Sequence, residues 1–489
     1  MPSRGANLRW VWAVALGAGA LRLLLFLGLD LYADEAYYWL WSRHLAAGYF
    51  DHPPMVAWLV WLSTRLGDGE LFVRLPFLLC GSLAVLFAAL TARELTEDRS
   101  APLVAALLAA TGPILTLTGG LALPDAPVEA AYGAATWLVA RARGREWLWA
   151  GLAVGLALLS KFTAALLAPA LLLLVLWDPE LRRELRAPWP WLGAGLAVAI
   201  FLPNLLWNAS HDFISVRFQL WHGFASTVTL RSVLDYVGGL LGGPGPVVLV
   251  LGVAFLARAR TSAAKRVAAA TFLPMLVTFA AATRSPVEAN WGALVYPALA
   301  GAAAASLATQ GRRLARGLVA LSVVLGLGVA AAFALEVRRP TLVRPDTPFV
   351  ERFREWRAFG EKAREAARQA CAGIGSPPGC NGEDPFVFPS SYQEAAELAY
   401  YAGWEHFGPG LTRASQLDLW RDRPAPGAPV LESGLRLRPD DRLFWADGGG
   451  PEVPFEVLLR GTVIHRGAVR AFPHYLGEVR RRGSDLDFR

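Results

Sequence analysis

A chain of 489 residues with 54% apolar side chains and only 18% charged ones is greasier than a soluble domain, where about 45–50% apolar and about 25% charged is usual. Its mean hydropathy of +0.37 and 19 tryptophans mark it as a polytopic α-helical membrane protein. The formal charge of +7 does not point to nucleic acid, because the arginines fall in short runs between apolar spans, as the positive-inside rule produces. Lysines occur only at 161, 265 and 362, so a lysine at a membrane boundary is conspicuous.

The first apolar segment, from about Leu8 to Gly28, is long for a signal-peptide core and lacks a clear small-residue cleavage site, so it is expected to stay as an anchor. Crossing a bilayer takes about 20 apolar residues, and on that measure the chain offers about eleven spans, with about 11–13 as the range. Their centres fall near Leu21, Leu83, Ala106, Ala134, Gly155, Leu171, Ala197, Val248, Leu276, Ala300 and Val324. The stretch from Met55 to Leu66 is amphipathic and suits the interface. With the N-terminus inside, alternate loops carry Arg4 and Arg9, then Arg93 and Arg99, then Arg141, Arg143 and Arg145. The series continues with Arg182, Arg183 and Arg186, then Arg258, Arg260, Lys265 and Arg266, then Arg312, Arg313 and Arg316. The opposite loops hold few arginines, and this asymmetry sets the orientation. An odd number of spans then places the C-terminal region outside.

That region, residues 339–489 after a transmembrane domain of residues 1–338, is richer in charge and proline. Glu351 to Ala370 reads as a helix with Phe353, Trp356, Phe359 and Ala363 on one face. Pro385 to Pro389 reads as a strand, Tyr392 to Tyr401 as a helix, and Val453–Leu459 with Thr462–His465 as strands paired around Arg460-Gly461. The expectation is a small extracytoplasmic α/β domain. Three cysteines set no disulfide framework. Cys80 lies in an apolar span, whereas Cys371 and Cys380 bracket a Gly/Pro-rich stretch that would close a small loop in an oxidising compartment.

The chemistry concentrates in Asp34-Glu35-Ala36-Tyr37-Tyr38-Trp39 and Gly48-Tyr49-Phe50-Asp51-His52-Pro53-Pro54-Met55. Charges beside an apolar helix are costly and mark a functional site by default. The plainer reading is an interfacial loop anchored by Tyr and Trp, but an anchor has no need of Asp34, Glu35, Asp51 and His52 together. Other unexpected polar residues share that external face: Pro124-Asp125, Ser160-Lys161, Pro203-Asn204-Leu205-Leu206-Trp207-Asn208, His211-Asp212, and Arg284 with Glu288-Ala289-Asn290-Trp291. One external cavity is expected to collect them. A carboxylate such as Asp34 acts as general base on a hydroxyl within hydrogen-bond reach. Lys161 and Arg284 suit a phosphate, one as a point charge and the other as a fork, and a polyprenyl phosphate carries its phosphate at this depth. Each residue also has a structural reading. Asp125 would cap a helix, Lys161 would snorkel to the interface, and Arg22 and Arg74 would pair with loop acids. His211 and His222 read as exposed loop residues. Asp51-His52 is a weak signal for a divalent metal without a spaced second group of ligands, and Asn208-Ala209-Ser210 is a chance glycosylation pattern.

Taken in order, these motifs, from Asp34-Glu35-Ala36-Tyr37-Tyr38-Trp39 to Glu288-Ala289-Asn290-Trp291, resemble bacterial glycosyltransferase family 39. Its members are GT-C fold membrane enzymes related to protein O-mannosyltransferases and to the aminoarabinose and galacturonic acid transferases of lipid A. The C-terminal region resembles the family only through Ser391-Tyr392-Gln393. The resemblance implies a GT-C fold and an inverting transfer from an undecaprenyl-phosphate sugar on the periplasmic side of a bacterial inner membrane, with no certain cofactor and a divalent metal left open. It implies that Asp34 is the catalytic base, that Glu35 orients it or binds acceptor, and that Asp125 helps to hold acceptor or sugar. Lys161 and Arg284 would bind the donor phosphate, with Tyr37, Tyr38, Asp51, His52, Asn204, Glu288 and Asn290 around the substrates. Lipid A, another envelope glycan and a protein hydroxyl stay open as acceptors, a lipid or glycan being favoured by the small external domain. The alternative is a polytopic transporter or flippase for a lipid-linked sugar. Transporters place charges at the midplane between repeats, whereas here the charges lie at one face and no repeat is visible.

Overall fold

The computed structural model describes residues 8–224, 230–285, 287–339, 341, 353, 355–373, 386–389, 391–405, 407, 415–420, 430–433, 443–445, 453–459, 462–469 and 479–481. The helices run α1 (Leu8–Phe26), α2 (Ala33–Arg43), α3 (Met55–Ser63), α4 (Glu70–Leu95), α5 (Ala101–Thr111), α6 (Pro113–Thr118) and α7 (Asp125–Arg141). There follow α8 (Glu146–Ser160), α9 (Leu167–Leu174), α10 (Pro179–Glu184), α11 (Pro188–Ser210), α12 (Ile214–Phe224), α13 (Leu230–Gly242) and α14 (Pro246–Leu256). The series ends with α15 (Ser262–Ala282), α16 (Tyr296–Leu307), α17 (Arg312–Arg338), α18 (Trp356–Gly373), α19 (Tyr392–Ala402) and α20 (Gln416–Trp420). The chain divides into two compact units, one of Met1–Gly28, Ala46–Gly48 and His52–Arg339, the other of Leu29–Leu45, Tyr49–Asp51 and Pro340–Arg489.

The first unit is a helical bundle whose core is largely alanine, with Val85, Tyr132, Leu294, Tyr296 and Leu299 among its larger buried side chains. Small residues let helix backbones approach closely in lipid, where association rests on packing rather than on the hydrophobic effect. The contact of α8 with α11 shows this: a Cβ on Gly151 would stand 2.0 Å from the Gly193 carbonyl oxygen. Every expected span centre lies inside a helix. Among the described residues five helices, α1, α4, α11, α15 and α17, are long and apolar enough to cross a membrane. A sixth span is added if the pair Ser232–Gly242 and Pro246–Leu256, bent by 89°, counts as one. The expected spans near Ala106, Ala134, Gly155 and Ala300 are helices of 11, 17, 15 and 12 residues. Those near Ala106, Ala134 and Ala300 are largely buried against neighbouring helices, where breaks in the backbone are tolerated, whereas the helix near Gly155 leaves Trp149 and Leu156 exposed. In α16 all but one residue of the helix is buried, whereas α17 turns Leu314, Leu321, Val324, Leu325 and Leu335 outward.

In the second unit α2 packs on α19: the backbone N–H of Leu31 donates to the Tyr401 hydroxyl at 2.8 Å. Strands β1 (Phe386–Pro389), β2 (Val430–Ser433), β4 (Val453–Leu459) and β5 (Thr462–Val469) form one sheet in the order β1-β2-β4-β5. The first two junctions are parallel and β4 pairs with β5 antiparallel, with Leu459 opposite Thr462. Strands β3 (Leu443–Trp445) and β6 (Val479–Arg481) make a separate antiparallel pair. This is the expected α/β character, with the expected hairpin. The pairing of Cys371 with Cys380 and the side chain of His222 fall outside the described residues.

Candidate active site

The Asp34 motif opens α2. Tyr32 is extended at φ −68°, ψ 140°, and the fully buried Glu35 turns its Oε2 back to accept from the Tyr32 backbone N–H at 2.8 Å. This is the back-reaching half of a capping box, which satisfies one of the orphan donors of a helix start. Asp34, half-buried one residue earlier, points its Oδ1 at α19, where it accepts from Gln393 Nε2 at 3.3 Å and from the Tyr392 hydroxyl at 3.5 Å. Gln393 also donates to the Tyr392 oxygen at 2.9 Å. These two contacts lie at or beyond the long end of hydrogen bonding.

The Gly48-Tyr-Phe-Asp motif folds back onto the same helix. Tyr49 stacks on Trp41 with centroids 4.3 Å apart, and Tyr37 donates to Asp51 Oδ2 at 2.8 Å while accepting from the Gln416 N–H at 2.7 Å. Gln416 Oε1 in turn takes the Phe50 N–H at 2.8 Å. Tyr37, Tyr38 and Asp51 are thus buried inside the unit, where they fix the shape around Asp34. Gln393 entered the sequence reading only within Ser391-Tyr392-Gln393 and was not taken as a site residue, and Gln416, an amide in a charged, proline-rich tail, carries no motif of its own.

In the bundle unit, Lys161 ends α8 in an extended conformation (φ −156°, ψ 136°) and Asp125 starts α7. Lys161 Nζ donates to Asp125 Oδ1 at 2.8 Å, the two side chains being 11% and 5% exposed. Asn290 Nδ2 donates to the other carboxylate oxygen at 3.0 Å. Each charge also sits at the helix end whose dipole it opposes. Lys161 therefore pairs within the bundle instead of snorkelling. Three residues singled out by sequence, Asp125, Lys161 and Asn290, are brought together here. Arg284 and Glu288 are exposed on the turn after α15. Asn204 donates to the Ala47 carbonyl at 2.9 Å, and a Cβ on Gly48 would meet Trp207 at 2.5 Å and Asn204 at 2.8 Å, so Asn204 holds the loop carrying the second motif. His52 follows Asp51 and is half-buried. Arg22, expected to pair with a loop acid, instead lies 1% exposed inside the bundle and donates to the Leu115 carbonyl at 3.0 Å. Among the described residues no three His, Cys, Asp or Glu side chains come together as a metal site.

These features define a class. The architecture is the GT-C fold of multi-pass membrane proteins: ArnT from Cupriavidus metallidurans bound to undecaprenyl phosphate superposes with a TM-score of 0.63 at 16% identity, over 85% of this chain and 88% of that one. Within that class, residues 51–207 match the family described as dolichyl-phosphate-mannose-protein mannosyltransferase. The lipid A galacturonosyltransferase RgtD of Rhizobium johnstonii is 28% identical over 293 residues, 56% of this chain and 60% of that protein. An undecaprenyl phosphate-alpha-4-amino-4-deoxy-L-arabinose arabinosyl transferase of Pseudomonas fluorescens is 29% identical over 195 residues, 38% of this chain and 35% of the relative. The chain is a relative of these glycosyltransferases and spans 60% or less of their length.

Proposed function

We propose that the chain is an inverting glycosyltransferase that moves a sugar from an undecaprenyl-phosphate donor to a hydroxyl of an envelope lipid or glycan, on the periplasmic side of the bacterial inner membrane. The observation that carries it is Asp34, a half-buried carboxylate in the first turn of α2 whose contacts to Gln393 and Tyr392 are long enough to be exchanged for a substrate hydroxyl. In this reading Asp34 takes the proton of the acceptor hydroxyl as that oxygen bonds to the anomeric carbon. The bond from that carbon to the phosphate oxygen breaks on the opposite side and leaves its electron pair on the lipid phosphate. Lys161 and Arg284 are assigned to that phosphate, where negative charge develops. Asp125 and Asn290 orient Lys161, Glu35 sets the pitch of the α2 start, and Tyr37, Tyr38 and Asp51 shape the acceptor side. His52, Asn204 and Glu288 are assigned to the substrate surroundings. The names of the relatives, galacturonosyl and aminoarabinosyl transferases, support the donor class and a lipid A type of acceptor. If a divalent ion takes part, Asp51 and His52 are the residues that would offer it ligands.

The transport alternative gains one feature, the bent pair at Gly242-Gly243-Pro244-Gly245-Pro246. That break carries no ionisable side chain, whereas transporters place substrate and ion ligands at such breaks. The test is Asp34→Asn expressed in a strain lacking the native gene, with envelope lipids and glycans compared by mass spectrometry. The expected result is a folded, membrane-inserted protein and loss of a sugar-sized mass that the wild type restores. A fully active variant removes Asp34 as the base.

A further inference from the structure

At the far end of α2 from Asp34, the second unit holds a small cavity that the reaction as written does not use. It measures about 240 Å³ and is lined by Leu40 and His44, by Glu405 and Phe407 after α19, and by Leu417 and Trp420 of α20. Leu40, Phe407 and Leu417 are buried and make an apolar floor, whereas Trp420 is half-buried and His44 and Glu405 are exposed. The rings of His44 and Trp420 meet with centroids 4.6 Å apart, tilted by 42°. The spacings Leu40 to His44 and Leu417 to Trp420 set each pair on one helix face.

A helix of five residues such as α20 cannot hold itself, and its first residue ties it to the Asp34 end of the unit. Gln416 takes the Phe50 N–H on its side chain and gives its own N–H to the Tyr37 hydroxyl. The Leu417 N–H donates to Ser415 Oγ at 3.3 Å, and the His44 carbonyl accepts from the Tyr49 hydroxyl at 3.1 Å. The walls of the cavity are thereby fixed to the residues assigned to the acceptor side. An apolar floor with an indole, an imidazole and a carboxylate at the mouth suits a ligand that is apolar on one face and hydroxylated at its edge, as a pyranose ring is. The indole offers a rigid amphipathic surface, and the carboxylate accepts strong hydrogen bonds from hydroxyls. The volume lies below the about 300–1,000 Å³ of pockets for drug-sized ligands, which is room for a single ring. An acyl chain would have no use for His44 and Glu405, and a peptide would need a sheet edge or a helix-length groove.

We propose that this cavity binds one pyranose unit of the acceptor glycan. The proposal rests on the reading of the chain as a glycosyltransferase and narrows its acceptor to a glycan. Asp34 and His44 stand at the two ends of α2, about 15 Å apart along its axis, so the sugar held here belongs to the body of an oligosaccharide whose reacting hydroxyl lies further along. The experiment titrates the full chain in nanodiscs with envelope oligosaccharides released by mild acid from the bacterium that carries the gene. Calorimetry gives the Kd, and saturation-transfer NMR identifies the ring in contact. Trp420→Ala is expected to weaken binding about ten-fold and to raise KM for the glycan acceptor by a similar factor with kcat unchanged. Glu405→Gln, an isosteric change at an exposed side chain, is expected to weaken binding about five-fold, and Asp34→Asn to bind like the wild type while transferring nothing. A wild-type Kd in Trp420→Ala and Glu405→Gln overturns the proposal, as does a wild type that transfers sugar yet binds none of the oligosaccharides. If Trp420→Ala does not fold, an unchanged Kd in Glu405→Gln overturns it. A wild type whose oligosaccharide binding depends on Trp420 and Glu405 but which transfers no sugar upholds the cavity as a glycan site and overturns the proposed function, which tells the two failures apart.

Discussion

The Asp125–Lys161 pair allows a quantitative test of how the bundle tolerates charge. At 2.8 Å and an effective dielectric of about 20, their attraction is about 6 kcal/mol, and desolvation of both groups cancels most of it. The asymmetry appears on breaking the pair. Lys161→Met leaves Asp125 accepting from Asn290, and a buried charge stripped of its partner costs about 3–5 kcal/mol. Asp125→Asn keeps the shape but leaves the Lys161 ammonium facing an amide, at a cost of about 2–4 kcal/mol by the same reasoning. The double variant, with no buried charge at either position, is expected to lie within about 1–2 kcal/mol of the wild type, since replacing a whole buried pair is often near neutral. The coupling between the two positions is therefore expected to reach about 3 kcal/mol or more, at the upper end for contacting residues.

The assay is SDS-driven unfolding of the purified protein in mixed micelles, followed by tryptophan fluorescence, for the wild type, both single variants and the double. Additive losses, with the double variant as unstable as the sum of the singles, would refute the reasoning. So would single variants that unfold like the wild type, since that would show both groups to be hydrated.

Tyr37→Phe removes the donor to Asp51 and the acceptor of the Gln416 N–H. It is expected to cost about 1–3 kcal/mol and to loosen the second motif, read as faster proteolysis within residues 44–51. Gly151→Leu places side-chain atoms where Gly193 of α11 already stands. Even a single added methyl there is expected to cost about 1–3 kcal/mol or more, read as loss of monodisperse protein in size-exclusion chromatography.

How much of this was legible in the sequence differs by level. The helices were, because apolar runs and arginine-rich loops follow directly from the bilayer as solvent, and every span centre fell within a helix. Their lengths were not: α7 and α16 read as full spans, but hydropathy cannot separate a helix covered by protein from one covered by lipid, and only packing shortens the former. The Asp125–Lys161–Asn290 cluster was half legible. Each residue stood out as a polar interruption, yet the snorkelling alternative for Lys161 is excluded only by a partner 36 positions away. Glu35 and Tyr37 show the opposite case. They sit in the most conspicuous motif of the chain, where proximity to Asp34 suggested chemistry, but Glu35 reaches the Tyr32 N–H and Tyr37 reaches Asp51 and Gln416. Glu129 stands four residues after Asp125, a spacing that puts both on one helix face, but it was not read as a site residue. What the sequence could not supply was the burial of Arg22 of α1 beside Gly81 and Gly119, two glycines distant in the chain. A buried charge is legible in sequence only as an anomaly. Whether it is structural or functional is decided by which of its hydrogen-bonding atoms the fold has already used.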